Sequence, residues 1–149
     1  MTRQVLCELA IDGASRGNPG PSGIGIVLRD PERSLTRQWC QYLGHTTNNV
    51  AEYSALIRGL EQAQAQGCRN VVVRTDSQLL ARQISGQYRV RDERLKLLYQ
   101  QAQSLISRFE ACSVEHVPRE QNREADKMAN RGVTLRASNL TEVPVEPGP

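Results

Sequence analysis

Residues 46–60 read "TTNNVAEYSALIRGL". Before this stretch, "SLTRQWCQYLG" alternates apolar and polar residues. After it, apolar residues recur every three or four positions. Ala55, Leu56, Leu60 and Ala63 form one helical stripe, and Gly67 stops it. The chain therefore changes here from strands to a helix. An Asn is a good N-cap, and Glu52, read into the first turn, would interact well with the positive end of the helix dipole. On local grounds "NNVAE" is a helix start, with the capping residue open among Thr47, Asn48 and Asn49. A chemical role for Glu52 needs other acids that could meet it.

Working back toward the N-terminus, "QVLCELAID" puts Val5, Cys7, Leu9 and Ile11 on one face, a strand ending at Asp12. "GASRGNPGPSG" is rich in Gly, Pro, Ser and Asn and reads as a loop. "IGIVLRD" is a second strand, "DPER" a turn, and "SLTRQWCQYLG" a third strand. Short links between three strands suggest an antiparallel meander.

Toward the C-terminus, "RNVVVRTD" is a short apolar strand suited to a sheet centre. "SQLLARQISG" is a short helix with Ser77 near its start. Leu95, Leu98, Ala102, Leu105 and Phe109 mark a third helix, read as the longest. "CSVEHVP" is a fifth strand, "REQN" a polar turn with Asn122 as N-cap, and "READKMANRGVTL" a last helix. The order β-β-β-α-β-α-α-β-α predicts an α/β fold: a mixed five-stranded sheet with helices on its faces. The tail "ASNLTEVPVEPGP" has three prolines and no period, and is expected to be extended or disordered. The expected division is a domain over 1–136 and a tail over 137–149.

Composition fits one soluble domain of 149 residues, with 38% apolar and 23% charged residues. No apolar run could span a bilayer. The N-terminus lacks the features of a signal peptide, so a cytoplasmic location is the default. The formal charge of +3 is compatible with a nucleic-acid partner without requiring one. Cys7, Cys40, Cys68 and Cys112 form no CxxC pair, which disfavours zinc. They read as buried thiols, with a disulfide left open.

The acids sort by position. Asp12 ends the first strand and Asp76 the fourth; Glu52 and Asp126 sit near helix starts. If strands one and four are parallel neighbours, Asp12 and Asp76 meet at the carboxyl edge of the sheet, where open α/β sheets bind ligands. Four carboxylates gathered there would repel one another unless a hard divalent cation intervened. Two such ions form a centre suited to phosphodiester hydrolysis.

Four motifs, "IDGASRGNPGPSGIG", "TTNNVAEYSALIRGL", "VRTDSQLL" and "HVPREQNREADKMA", carry a resemblance to type 1 ribonuclease H. Their order and spacing match that family over nearly the whole chain except the tail. The resemblance implies a ribonuclease H-like fold with strand order 3-2-1-4-5. It implies endonucleolytic hydrolysis of the RNA strand of an RNA–DNA hybrid, leaving 5′-phosphate and 3′-hydroxyl ends, with double-stranded RNA an open further substrate. It implies that Asp12, Glu52, Asp76 and Asp126 hold two Mg²⁺ or Mn²⁺ ions. Ser15, Asn18, Thr47, Asn48, Asn49 and Gln78 resemble substrate-binding residues. A monomer without an obligate protein partner or membrane contact is the expectation.

Two departures accompany the resemblance. "SGQYRVRDERLKLL" is too short for the basic protrusion of well-studied bacterial members and looks like the compact variety of archaea and some bacteria. Binding of the DNA strand would then rest on Arg89, Arg91, Arg94 and Lys96. The mobile residue that assists proton transfer or product release could be His116, which has the right spacing but sits in a strand pattern. Arg119, in the polar turn, is the favoured alternative. His45 reads as a loop residue.

Overall fold

The structure is a computed structural model that describes residues 6–140. Three strands come first: β1 (Leu6–Ser15), β2 (Gly20–Asp30) and β3 (Leu35–Thr46). Then follow α1 (Asn48–Ala65), β4 (Asn70–Thr75), α2 (Gln78–Ile84), α3 (Glu93–Ile106), β5 (Ala111–His116) and α4 (Arg123–Leu135), with a 3₁₀ turn at Arg119–Gln121. The sheet order is β3-β2-β1-β4-β5. β1–β2 and β2–β3 pair antiparallel, and β1–β4 and β4–β5 pair parallel. The sheet and helix order are those expected.

Alternation along the strands separates two cores. Cys7, Leu9 and Ile11 of β1, with Ile24, Ile26 and Leu28 of β2, join Leu56 and Leu60 of α1 in the larger one. The opposite face of β2 carries Val27 and two glycines, and α4 packs there through Ala125 and Met128. A Cβ on Gly25 would fall 2.1 Å from the carbonyl oxygen of Ala125. That glycine lets α4 lie directly on the sheet. α3 packs on α1 and α2 joins the same core through Leu80, so the layers are three helices, sheet and single helix.

Several local readings are corrected. β1 runs past Asp12 to Ser15, because residues 13–15 pair with residues 22–24 of β2; the expected loop shrinks to residues 16–19. β3 continues through Thr46, and Thr47 caps α1, its hydroxyl accepting the Val50 N–H at 3.2 Å. Glu52 is therefore the fifth helical residue, in the second turn, and the first turn carries no acid. The longest helix is α1, of 18 residues, against 14 in α3; Phe109 lies beyond the end of α3 and is buried.

Asn122 precedes α4 but makes no side-chain cap. Cys7 and Cys68 are disulfide-bonded, with Cα atoms 6.0 Å apart, whereas Cys40 and Cys112 are free thiols. The start of the tail follows β3: Asn139 N–H donates to the Cys40 carbonyl at 3.1 Å, and its Oδ1 accepts the Cys40 N–H at 2.7 Å. Val5 and residues 141–149 lie outside the described residues. Among the described residues no helix is long and apolar enough to cross a membrane.

Candidate active site

The parallel register of β1 and β4 ends with Ala10 opposite Arg74. Two residues further on are Asp12, still in β1, and Asp76, just past the end of β4, which brings their carboxylates to the same sheet edge. Glu52 arrives from α1 because Gly13 has no side chain. A Cβ there would lie 2.5 Å from the Ala51 carbonyl carbon and 2.6 Å from the Glu52 nitrogen. That close approach lets the Gly13 N–H donate to Glu52 Oε1 at 3.1 Å. Glu52 is thus oriented by a strand amide rather than by its own helix dipole.

Asp12, Glu52 and Asp76 each offer an oxygen, and these oxygens lie within 4.8 Å of one another. Asp12 is 3% exposed and Glu52 5%. Burial, reinforced by the negative charges of Glu52, Asp76 and Asp126, pushes the Asp12 carboxyl up to about 10. Burial also pushes Glu52 up to about 8, opposed by the Gly13 N–H and the Thr75 hydroxyl. Glu52 Oε2 is buried without a protein partner. An orphaned carboxylate oxygen beside two further acids is the donor set a hard divalent cation takes. These residues fit such an ion.

Asp126 enters from the first turn of α4, close enough to hydrogen-bond the Asp12 carboxyl. It stands just outside the tight three-acid set. Asn130, one turn further along, donates to the Asp126 carbonyl at 2.9 Å and to its carboxylate at 3.2 Å. The Arg119 guanidinium lies 4.0 Å from the Asp126 carboxylate.

The four acids line a cleft of about 420 Å³ together with Ser15, Asn48, Arg119 and Asn130. The other expected substrate residues surround it less directly. Asn18 is exposed and accepts the Asn48 N–H at 3.0 Å, tying its loop to the start of α1. Thr47 is engaged as the cap, Asn49 is half-buried in the first turn of α1, and Gln78 is exposed at the start of α2. His116 is the exposed last residue of β5, paired with Thr75, and does not line the cleft. His45 is exposed on β3, opposite Pro21, rather than in a loop.

Arg89 and Arg91 are exposed between α2 and α3, and Arg94 is exposed at the start of α3. Lys96 pairs with Glu93 at 3.1 Å, so its charge is partly answered within the helix. Asn130 and Thr75 also touch the acids, and local pattern by itself assigns neither of them a role. Asn130 had a readable signal, its i,i+4 spacing from Asp126 on one helix face. Thr75 had none, since a strand threonine is ordinary.

A meander followed by a β-α-β unit, with carboxylates at the shared edge of β1 and β4, defines an α/β class whose sheet edge is built to take a divalent cation. The family described as Reverse transcriptase-like matches residues 10–132. A bifunctional protein of Mycobacterium tuberculosis is 40% identical over 92% of this chain and 41% of its own length. Ribonuclease HI of Halobacterium salinarum is 40% identical over 82% of this chain and 61% of its own. The crystal structure of LC11-RNase H1 in complex with an RNA/DNA hybrid superposes with a TM-score of 0.81 at 40% identity, covering 87% of this chain and 98% of that one. The chain belongs to the type 1 ribonuclease H family, in its compact form. It spans 41% of the length of the mycobacterial relatives it matches.

Proposed function

We propose that this chain is an endoribonuclease that hydrolyses the RNA strand of RNA–DNA hybrids, leaving 5′-phosphate and 3′-hydroxyl ends. The observation that carries the reading is the three-acid cluster, seated on a family fold of which one similar member has been crystallised with a hybrid. Asp12, Glu52, Asp76 and Asp126 would hold two divalent cations, Mg²⁺ or Mn²⁺. When bound, these supply Lewis-acid polarisation of the phosphodiester and activation of the attacking water.

The protein's own residues do the remaining work. Ungated, the carboxylate cluster would repel a polyanion, so cation binding and substrate binding are coupled by simple charge. Ser15 and Asn48 line the cleft; in this reading the Ser15 backbone meets ribose hydroxyls, which tell RNA from DNA, and Asn48 reaches bases or sugars in the minor groove. Asn18, Thr47, Asn49 and Gln78 extend that contact surface around the cleft. Arg119, largely exposed and near Asp126, is the mobile group that assists proton transfer or product release. His116, held in the sheet, is the lesser candidate. The domain over 1–136 is expected to act as a monomer in the cytoplasm.

The test is cleavage of matched RNA–DNA, RNA–RNA and DNA–DNA duplexes with Mg²⁺ and with Mn²⁺. Hybrid cleavage confined to the RNA strand, lost in Asp12→Asn, is the expected result. Wild-type rates in Asp12→Asn would sink the assignment.

A further inference from the structure

Asn122 sits where a capping residue is expected, yet its side chain does something else. It is 1% exposed and makes no bond to α4. Its Nδ2 donates to the Ile11 carbonyl at 2.8 Å, across 111 positions of sequence. Ile11 immediately precedes Asp12. It is also one residue past Ala10, where the pairing of β1 with β4 ends. The carboxamide therefore grips β1 at the point where the two central strands part.

The backbone of the same residue grips the other partner. The Asn122 carbonyl accepts the Asp126 N–H at 3.1 Å, the first helical hydrogen bond of α4. One residue thus holds the strand that carries Asp12 and the turn that carries Asp126. The chemistry of the position narrows the choice of side chain. A buried group facing a carbonyl must donate. Aspartate would set acceptor against acceptor and add a fifth negative charge nearby. Leucine would leave the carbonyl buried without its donor.

We propose that Asn122 is a positioning residue that fixes Asp126 against Asp12 and so sets the affinity of the site for a divalent cation. The proposal rests on the reading of these acids as cation ligands. The experiment uses the full chain with three substitutions. Asn122→Leu keeps the shape and removes the donor. Asn122→Ala removes the amide without adding bulk. Leu105→Ala, in the α3 core, serves as a destabilised control.

Mg²⁺ affinity is measured by calorimetry on the folded proteins. Carboxyl chemical shifts of Asp12 and Asp126 are recorded without metal, and kcat and KM are measured on a hybrid. The expected result is a roughly tenfold weaker Mg²⁺ affinity in both Asn122 variants, the scale seen when a residue supporting a metal ligand is lost. Both carboxyl signals should move in the metal-free protein. The fall in kcat should be recovered by added Mg²⁺, with KM unchanged. Leu105→Ala should lower Tm and move none of these.

Unchanged Mg²⁺ affinity and carboxyl shifts in a folded Asn122→Ala would overturn the proposal. So would equal changes in Leu105→Ala. If the wild-type chain binds Mg²⁺ but cleaves no hybrid, the functional reading fails. The Mg²⁺ and chemical-shift comparisons would still decide the role of Asn122.

Discussion

At the scale of single residues, the cluster is a source of instability that a cation relieves. Asp12 and Glu52 hold their protons to about 10 and about 8 in the folded chain, first because they are buried. In the unfolded chain both lose them near pH 4. Between those limits the native state binds more protons than the unfolded one, so stability falls as pH rises. The metal-free protein should therefore melt lower at pH 8 than at pH 5. Calorimetric scans should show a drop on the order of 5 °C. Asp12→Asn, or added Mg²⁺, should recover much of it at pH 8. A flat profile between these pH values would contradict the charge assignment. For catalysis, Arg119→Ala should cut kcat about a hundredfold, the lower reach of proton-transfer assistance, with little change in KM. His116→Ala should stay near wild type in the same steady-state assay.

At the scale of elements, the junction between β1 and α1 sets the site. Gly13 is needed because Ala51 and Glu52 pass 2.5 Å and 2.6 Å from where its Cβ would stand, far inside van der Waals contact. Gly13→Ala must push α1 away from the sheet. A loss of about 1–3 kcal/mol is expected from that overpacking. A larger fractional loss of activity should accompany it, because Glu52 moves with the helix. Comparing denaturant midpoints with cleavage rates separates the two effects. Thr47 makes a contrast. It caps α1 through one hydrogen bond to Val50. Thr47→Ala should cost about 1 kcal/mol, read as a small fall in Tm, and raise KM more than it lowers kcat if the same residue also meets substrate.

At the scale of the whole molecule, the disulfide and the site lie at opposite ends of β1. Cys7 pairs with Val71 near the start of both strands, and Asp12 lies at the far edge. The bond joins residues 61 positions apart. Closing a loop of that size contributes about 4 kcal/mol in the chain-entropy account. A reductant, or Cys7→Ser with Cys68→Ser, should lower Tm on the order of 10 °C. Activity at 25 °C should hardly change, because the carboxylate geometry is set elsewhere. Loss of activity in step with reduction, below the melting range, would show that the two ends of the strand are coupled.

Periodicity was enough for the order of elements and for a mixed five-stranded sheet; the strand order came from the family resemblance. Alternation and three-to-four spacing record which face of each element is buried, and few topologies connect a meander to a β-α-β unit. All four acids could be placed near one edge on the same grounds. What the sequence could not carry is reach across the fold. The lone Gly13 does not announce that Glu52 will borrow its N–H. Asn122 looks like a cap until α4 docks on the sheet and turns its amide toward Ile11. Cys7 and Cys68 look like ordinary buried thiols until β1 and the turn before β4 bring them together. Local patterns follow from neighbours along the chain. These contacts depend on the packing of distant backbone segments, which is settled when α1 and α4 close on the two faces of the sheet.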